Sequence, residues 1–181
     1  MQRLEWHHIE NTMHINIKQA TQKDFSALQS IELAAFETLS VAGAVSGVPT
    51  ASSNEMLQTY CDEALLYAAF DLKGNPVGFA GAYVDEGWLH IAEIDVHPDF
   101  QSKGIGRQLM LTLLGEARTR QLHGATLTTD RLVPFNAPFY ASLGFQIVEL
   151  NKCSERLKNI LCAEKAIGLD LQRRVAMIKV F

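Results

Sequence analysis

The stretch IAEIDVHPDFQSKGIGRQLMLTLLGEARTRQ, residues 91–121, restricts the fold more than any other part of the chain. It alternates, stops at Pro98, passes Gly104 and Gly106, and then turns periodic at helical spacing. Alternation marks a strand and the longer period marks a helix. Their junction is a turn whose first helical residues carry almost no side chain. A helix opens with unpaired N–H groups and the positive end of its dipole. Glycine lets the oxygens of an anion approach that backbone closely. Lys103 and Arg107 add positive charge beside it. A pyrophosphate fits this description. The competing reading is a tight strand-to-helix turn that binds nothing.

Two other phosphate motifs are excluded. The chain has no G-x-x-x-x-G-K-[ST] and so no P-loop. It has no G-x-G-x-x-G either, because Leu109 stands at the third position.

The flanking sequence reads as mixed α/β. Residues 14–19 alternate as a first strand, and Thr21 with Asp24 forms a capping box before a helix through Phe25, Leu28, Ile31, Ala35 and Leu39. A small, glycine-containing loop follows, and Ser52 with Glu55 reads as a second capping box. Residues 64–71, 77–85 and 88–96, separated by the turn signals KGNP and EG, predict an antiparallel meander. A helix over 104–121 should bury Ile105, Leu109, Leu113 and Ala117. It connects to a strand over 125–129, parallel to the strand over 88–96. A short helix over 135–142, a strand over 145–149, a helix over 154–166 and a strand over 174–181 complete the chain.

Composition removes several function classes. The chain has 181 residues, 48% of them hydrophobic, so one domain with a substantial core is expected over 13–181, with residues 1–12 as an N-terminal extension. A net charge of −4 argues against a nucleic-acid partner. No apolar run reaches the roughly 18 residues of a membrane helix. Cys61, Cys153 and Cys162 lack metal-ligand spacing, as do the carboxylates, so no metal is expected. The cysteine usage fits a reduced, cytoplasmic setting.

The pattern V-x-P-x-x-Q-x-x-G-x-G, from Val96 to Gly106, resembles motif A of the GNAT superfamily, the GCN5-related N-acetyltransferases. NAPFYASLGF, beginning at Asn136, resembles that family's motif B. TTDRLVPFNAPFY with a later GLD…RRVAM resembles a small, mostly uncharacterised bacterial branch. The resemblance implies a GNAT fold, in which the meander is followed by a parallel β-α-β pair splayed at the cofactor site. It implies acetyl-CoA as acyl donor. The amides of Gln101, Ser102, Lys103, Gly104, Ile105 and Gly106 would hold its pyrophosphate. Ile94, Asp95 and Val96 would pair with the pantetheine arm, the N–H of Val96 would stabilise the oxyanion, and Asn136 would bond the arm. In many family members the asparagine lies about two helical turns before the tyrosine. Here Asn136 lies four residues before Tyr140.

Acetyl transfer to an amine needs a neutral nucleophile, although a free alkyl amine has a pKa near about 10. It also needs donors for the oxyanion and a proton for the departing thiolate. Tyr140 is the candidate acid; the other reading is an aromatic packed against the sheet. Glu93, acting through water, and His90, with its near-neutral intrinsic pKa, are candidate bases. Strict alternation puts His90, Ala92, Ile94 and Val96 on one face and Ile91, Glu93 and Asp95 on the other. A bulge after Ala92 would exchange them. For Glu93 and His90 the alternative is a solvated or hydrogen-bonded sheet side chain. His97 flanks the turn.

Residues 36–48 and 128–135 should select the acceptor. Asp130 and Arg131 either recognise an ammonium and a carboxylate, or Asp130 caps its turn or pairs with Arg131. The leading expectation is an acetyl-CoA-dependent N-acetyltransferase acting on a small-molecule amine. The alternatives are acetylation of a protein N-terminus or lysine, and a non-catalytic acyl-CoA sensor. A homodimer is compatible with the family resemblance.

Overall fold

The computed structural model describes residues 14–43 and 48–181, so the expectations for residues 1–12 and for 44–47 of the first loop lie outside the described residues. Seven strands form one mixed sheet: β1 (Asn16–Gln19), β2 (Leu66–Phe70), β3 (Pro76–Asp85), β4 (Trp88–Val96), β5 (Gly124–Asp130), β6 (Gln146–Val148) and β7 (Arg174–Val180). Their order is β1-β2-β3-β4-β5-β7-β6. The meander β2-β3-β4 is antiparallel, as its short turns require, and β4-β5 is parallel. Helix α3 (Ile105–Thr119) makes that crossover. The last strand enters between β5 and β6, antiparallel to both.

Alternation along β2 separates two apolar layers. Tyr67 and Ala69 face the core under α3, where Ile105, Leu109, Leu113 and Ala117 are buried as expected and Met110 and Leu114 join them. Leu66, Ala68 and Phe70 face the opposite core with α1 (Phe25–Val41) and α2 (Asn54–Asp62). Burying each large aliphatic side chain contributes about 1.5–3 kcal/mol, which makes these layers the main stabilising term. Helix α4 (Ala137–Ser142) packs on the α3 side, through Ala137, Phe139 and Tyr140. Helix α5 (Glu155–Ala166) covers the other face of β7, through Leu157, Leu161 and Ala176.

The Thr21–Asp24 capping box forms, though its first turn is a 3-10 turn before α1. The second box is displaced. Ser53 caps α2, its Oγ accepting from the Met56 N–H at 3.2 Å. Ser52 is instead buried and gives its N–H and Oγ–H to Glu32 at 2.9 and 3.1 Å. A serine with a better partner elsewhere leaves the cap to its neighbour.

Strand β4 contains the bulge. Gly81 pairs with Glu93 but Ala82 pairs with Ile91, so Ala92 is the extra residue. Leu89 and Ile91 before it, and Ile94 and Val96 after it, all pack toward α3. Strict alternation would have driven Glu93 and Asp95 into that apolar layer, at a large desolvation cost. Gly81 matters here because a Cβ on it would stand 2.4 Å from the Tyr60 ring, which packs over the bulge.

Candidate active site

β4 and β5 share a ladder only at Trp88–Gly124, Leu89–Ala125 and His90–Thr126. Beyond that point they part, and a cavity of about 670 Å³ opens between them. The parting joins the two faces of the sheet. Phe139 and Tyr140 line the cavity from the α4 side, and Ala35, Thr38 and Leu39 from α1.

The ladder geometry sets which amides face the gap. The His97 N–H donates to Val77 O at 3.0 Å. Antiparallel alternation then turns the N–H and C=O of Ile94 and Val96 away from β3 and toward β5. The carbonyl of Val96 accepts from Gln101 Nε2 at 3.0 Å, which fastens the glycine turn to the end of β4.

In that turn Ser102 and Gly104 are both left-handed, with φ of 60° and 80°. Such alternation points successive N–H groups into one concavity, a nest suited to an anion. No side chain caps α3, whose first internal bond is Gln108 N–H to Gly104 O at 3.1 Å. Lys103 Nζ donates to Asp99 O at 2.7 Å and Arg107 to Ser142 Oγ at 3.3 Å, which keeps both charges beside the nest. Gln101, Ser102, Gly104, Ile105, Gly106, Arg107 and Asn136 all line the cavity.

Because of the bulge, Glu93 and Asp95 project to the α1 side, where Glu32 joins them. Their carboxylate oxygens lie within 4.8 Å of one another. Both β4 carboxylates line the cavity and keep part of their surface open to it. Burial, with the charges of Asp95 and Glu32 adding, holds the Glu93 carboxyl well above the usual carboxylate range. Burial, with Glu32 adding, pushes Asp95 up to about 7. Burial also raises the Tyr140 phenol, with Asp95 contributing, so it stays protonated through neutral pH. A raised carboxyl and a protonated phenol lining one cavity can serve as proton acceptor and donor.

His90 is placed apart. It is 3% exposed, does not line the cavity, and bonds through Nδ1 to Thr126 Oγ1 at 3.1 Å. Burial and the Arg156 cation lower its pKa to about 4. His97 accepts from the Asp99 N–H at 3.3 Å and flanks the turn, as expected. Asp130 does not pair with Arg131. It accepts the N–H groups of Leu132 and Val133 and binds Arg173 Nε at 2.7 Å, while Arg131 faces Glu149 at 3.9 Å. The nearer guanidinium and two backbone donors already satisfy the carboxylate.

Sequence reasoning missed two charges, Glu32 against the β4 carboxylates and Arg174 on the cavity wall. Glu32 lies one helical turn after the fully buried Leu28, an unusual place for a carboxylate. Arg174 lines the cavity, and Glu164 holds it by two bonds, at 3.0 and 2.6 Å.

The sequence model described as the Acetyltransferase (GNAT) family matches residues 27–145, well over half of the chain. The chain belongs to that family. Similar curated proteins include the uncharacterized N-acetyltransferase ycf52 of Gracilaria tenuistipitata var. liui, 36% identical over 70 residues, and that of Porphyra purpurea, 37% identical over 70 residues. The first match covers 38% of this chain and 37% of the relative; the second covers 38% of each. Among solved structures, the PaiA N-acetyltransferase from Thermoplasma acidophilum in complex with coenzyme A has a TM-score of 0.67 at 15% identity, covering 93% of this chain and 100% of that one. The ribosomal-protein-S18-alanine N-acetyltransferase from Escherichia coli has a TM-score of 0.65 at 19% identity, covering 92% and 94%. At such identities these structures establish the GNAT fold. Among the described residues no helix is long and apolar enough to cross a membrane.

Proposed function

We propose that this GNAT chain is an acetyl-CoA-dependent N-acetyltransferase that acetylates the primary amine of a small molecule. The observation that carries the reading is one cavity reaching from the nest at Ser102–Gly104, through the parted strands, to Glu93 and Asp95. The nest receives the diphosphate of the donor. The outward amides of Ile94 and Val96 extend the sheet along the pantetheine arm, and Asn136 at the opposite wall bonds it. The thioester then lies in the gap, open to the acceptor from the α1 side.

The acceptor arrives as an ammonium, and the carboxylates favour that charge. Glu93 removes a proton, directly or through water, and the neutral nitrogen attacks the thioester carbonyl. The Val96 N–H stabilises the tetrahedral oxyanion. Collapse breaks the C–S bond, the Tyr140 phenol gives its proton to the departing thiolate, and the second proton of the former ammonium returns to the phenolate, leaving a neutral amide and a free thiol. Glu93 is the base favoured here over His90, because Glu93 faces the cavity and His90 does not.

A small amine is favoured over a free amino acid. Arg174 is held by Glu164 and Asp130 by Arg173, so neither pair offers an uncompensated charge to a carboxylate or a second ammonium. A thiol-release screen with acetyl-CoA against monoamines, diamines, amino acids and peptides tests this. Turnover confined to amines without a carboxylate is expected. Turnover confined to peptides would replace the reading with protein acetylation, and none with any amine would favour a sensor.

A further inference from the structure

The last pair of the β4–β5 ladder is His90–Thr126, and three buried polar side chains meet there. Thr126 is 0%, His90 3% and Arg156 8% exposed. Both terminal nitrogens of Arg156, from α5, donate to Thr126 Oγ1 at 3.3 Å. A hydroxyl has two acceptor sites and one hydrogen. With both acceptor sites taken, the hydrogen has two acceptors in reach, Nδ1 of a neutral His90 at 3.1 Å and, farther off, the Leu89 carbonyl at 3.5 Å. Among the described residues, the only carboxylate bridging to Arg156 is the exposed Glu86, at 4.0 Å.

An apolar side chain would fill this place at lower desolvation cost than a guanidinium. What the polar group adds is direction, at the vertex where two strands must part by a fixed amount. The next residue of β5 on that face repeats the device. Thr128 bonds to Glu164 of α5 and to Arg174 at 3.1 Å, just where β5 has lost its β4 partner. Helix α5 therefore anchors β5 by side chains where the ladder ends.

We propose that His90, Thr126 and Arg156 are positioning residues: a buried clamp at the vertex that sets the width of the β4–β5 gap, and with it the seat of the donor's arm and thioester. This rests on the reading of the cavity as an acetyl-CoA site. The clamp touches neither the nest nor the reacting atoms, so its effect is confined to the part of the donor beyond the diphosphate.

The test needs no acceptor. Calorimetry compares the affinity of the full chain for 3′-phospho-ADP, which carries the diphosphate without the arm, with that for acetyl-CoA. Thr126→Val should keep the nucleotide affinity within about twofold of wild type. It should lose about tenfold of the added affinity that acetyl-CoA gains from its arm, the scale of one buried polar group left unpaired. Thr126→Ser should restore it, and Arg156→Met should behave as Thr126→Val if the valine variant fails to fold. Equal losses for both ligands, or none, would overturn the clamp while leaving the cavity reading intact. If wild type binds neither ligand, both proposals fall.

Discussion

The two halves of β4 are built to opposite ends. Through His90 the strand is paired on both sides, and Leu89 and His90 are buried. From Glu93 to Val96 it is paired only with β3 and partly open. The first half spends its backbone groups on the sheet, and the second leaves Ile94 and Val96 facing a gap. One inserted residue, Ala92, separates them, and it also moves two carboxylates from the apolar layer to the α1 side. A strand that is entirely regular stabilises a fold but offers no edge in its middle. The irregular half costs stability and places charged groups beside a cavity, the usual mark of a site.

The sharpest way to break this contrast is at the turn that the open half leads into. Gly104→Glu forces a side chain onto a φ of 80° and sets a carboxylate against the nest. Coenzyme A affinity measured by calorimetry should fall more than about 100-fold. Next comes the proposed acid. Tyr140→Phe leaves the ring packing on Phe139 and Phe145 and removes only the hydroxyl. It should lower kcat by about 10²-fold with little change in coenzyme KM; the reverse split would make Tyr140 a binding residue.

The pH profile of the open half should carry the mark of its carboxyls. If Glu93 accepts the proton, the raised carboxyls give activity that climbs with pH to a limb displaced above the ordinary carboxylate range. Glu32→Gln removes a like charge, so that limb should move to lower pH by about one unit. An unmoved limb would detach the Glu32 carboxylate from the proposed base.

The smallest effect is on stability. Asp95 is pushed up to about 7, so the folded state binds its proton more tightly than the unfolded chain does. Its contribution is present at acid pH and is lost as pH rises from the unfolded value, about 4, through about 7. Asp95→Asn should therefore raise stability at pH 8 by about 1–2 kcal/mol and change it little near pH 4, read from denaturant midpoints.

Much of this architecture was legible. Pro98 and the two glycines marked the turn, the KGNP and EG turns gave the meander, and the α3 period gave its buried face. The apolar spacing Leu89, Ile91, Ile94, Val96 also carries the parity change of the bulge, since it steps by two, then three, then two. Less legible were the groups that chain topology assembles. Glu32 reaches the site from a helix far upstream. Arg174 arrives because β7 inserts between β5 and β6, a placement that no local pattern specifies. His90 shows the limit of intrinsic pKa as a guide. Its residue type suits a base, but its burial holds it neutral and away from the cavity.

If the nest grips a diphosphate so that the thioester lies between the two strands, a crystal structure with acetyl-CoA bound will show it. Diphosphate oxygens should lie within hydrogen-bond distance of the amides around Gly104, and the acetyl carbonyl near the Val96 N–H. Acetyl-CoA bound elsewhere, with the gap between β4 and β5 closed, would contradict it.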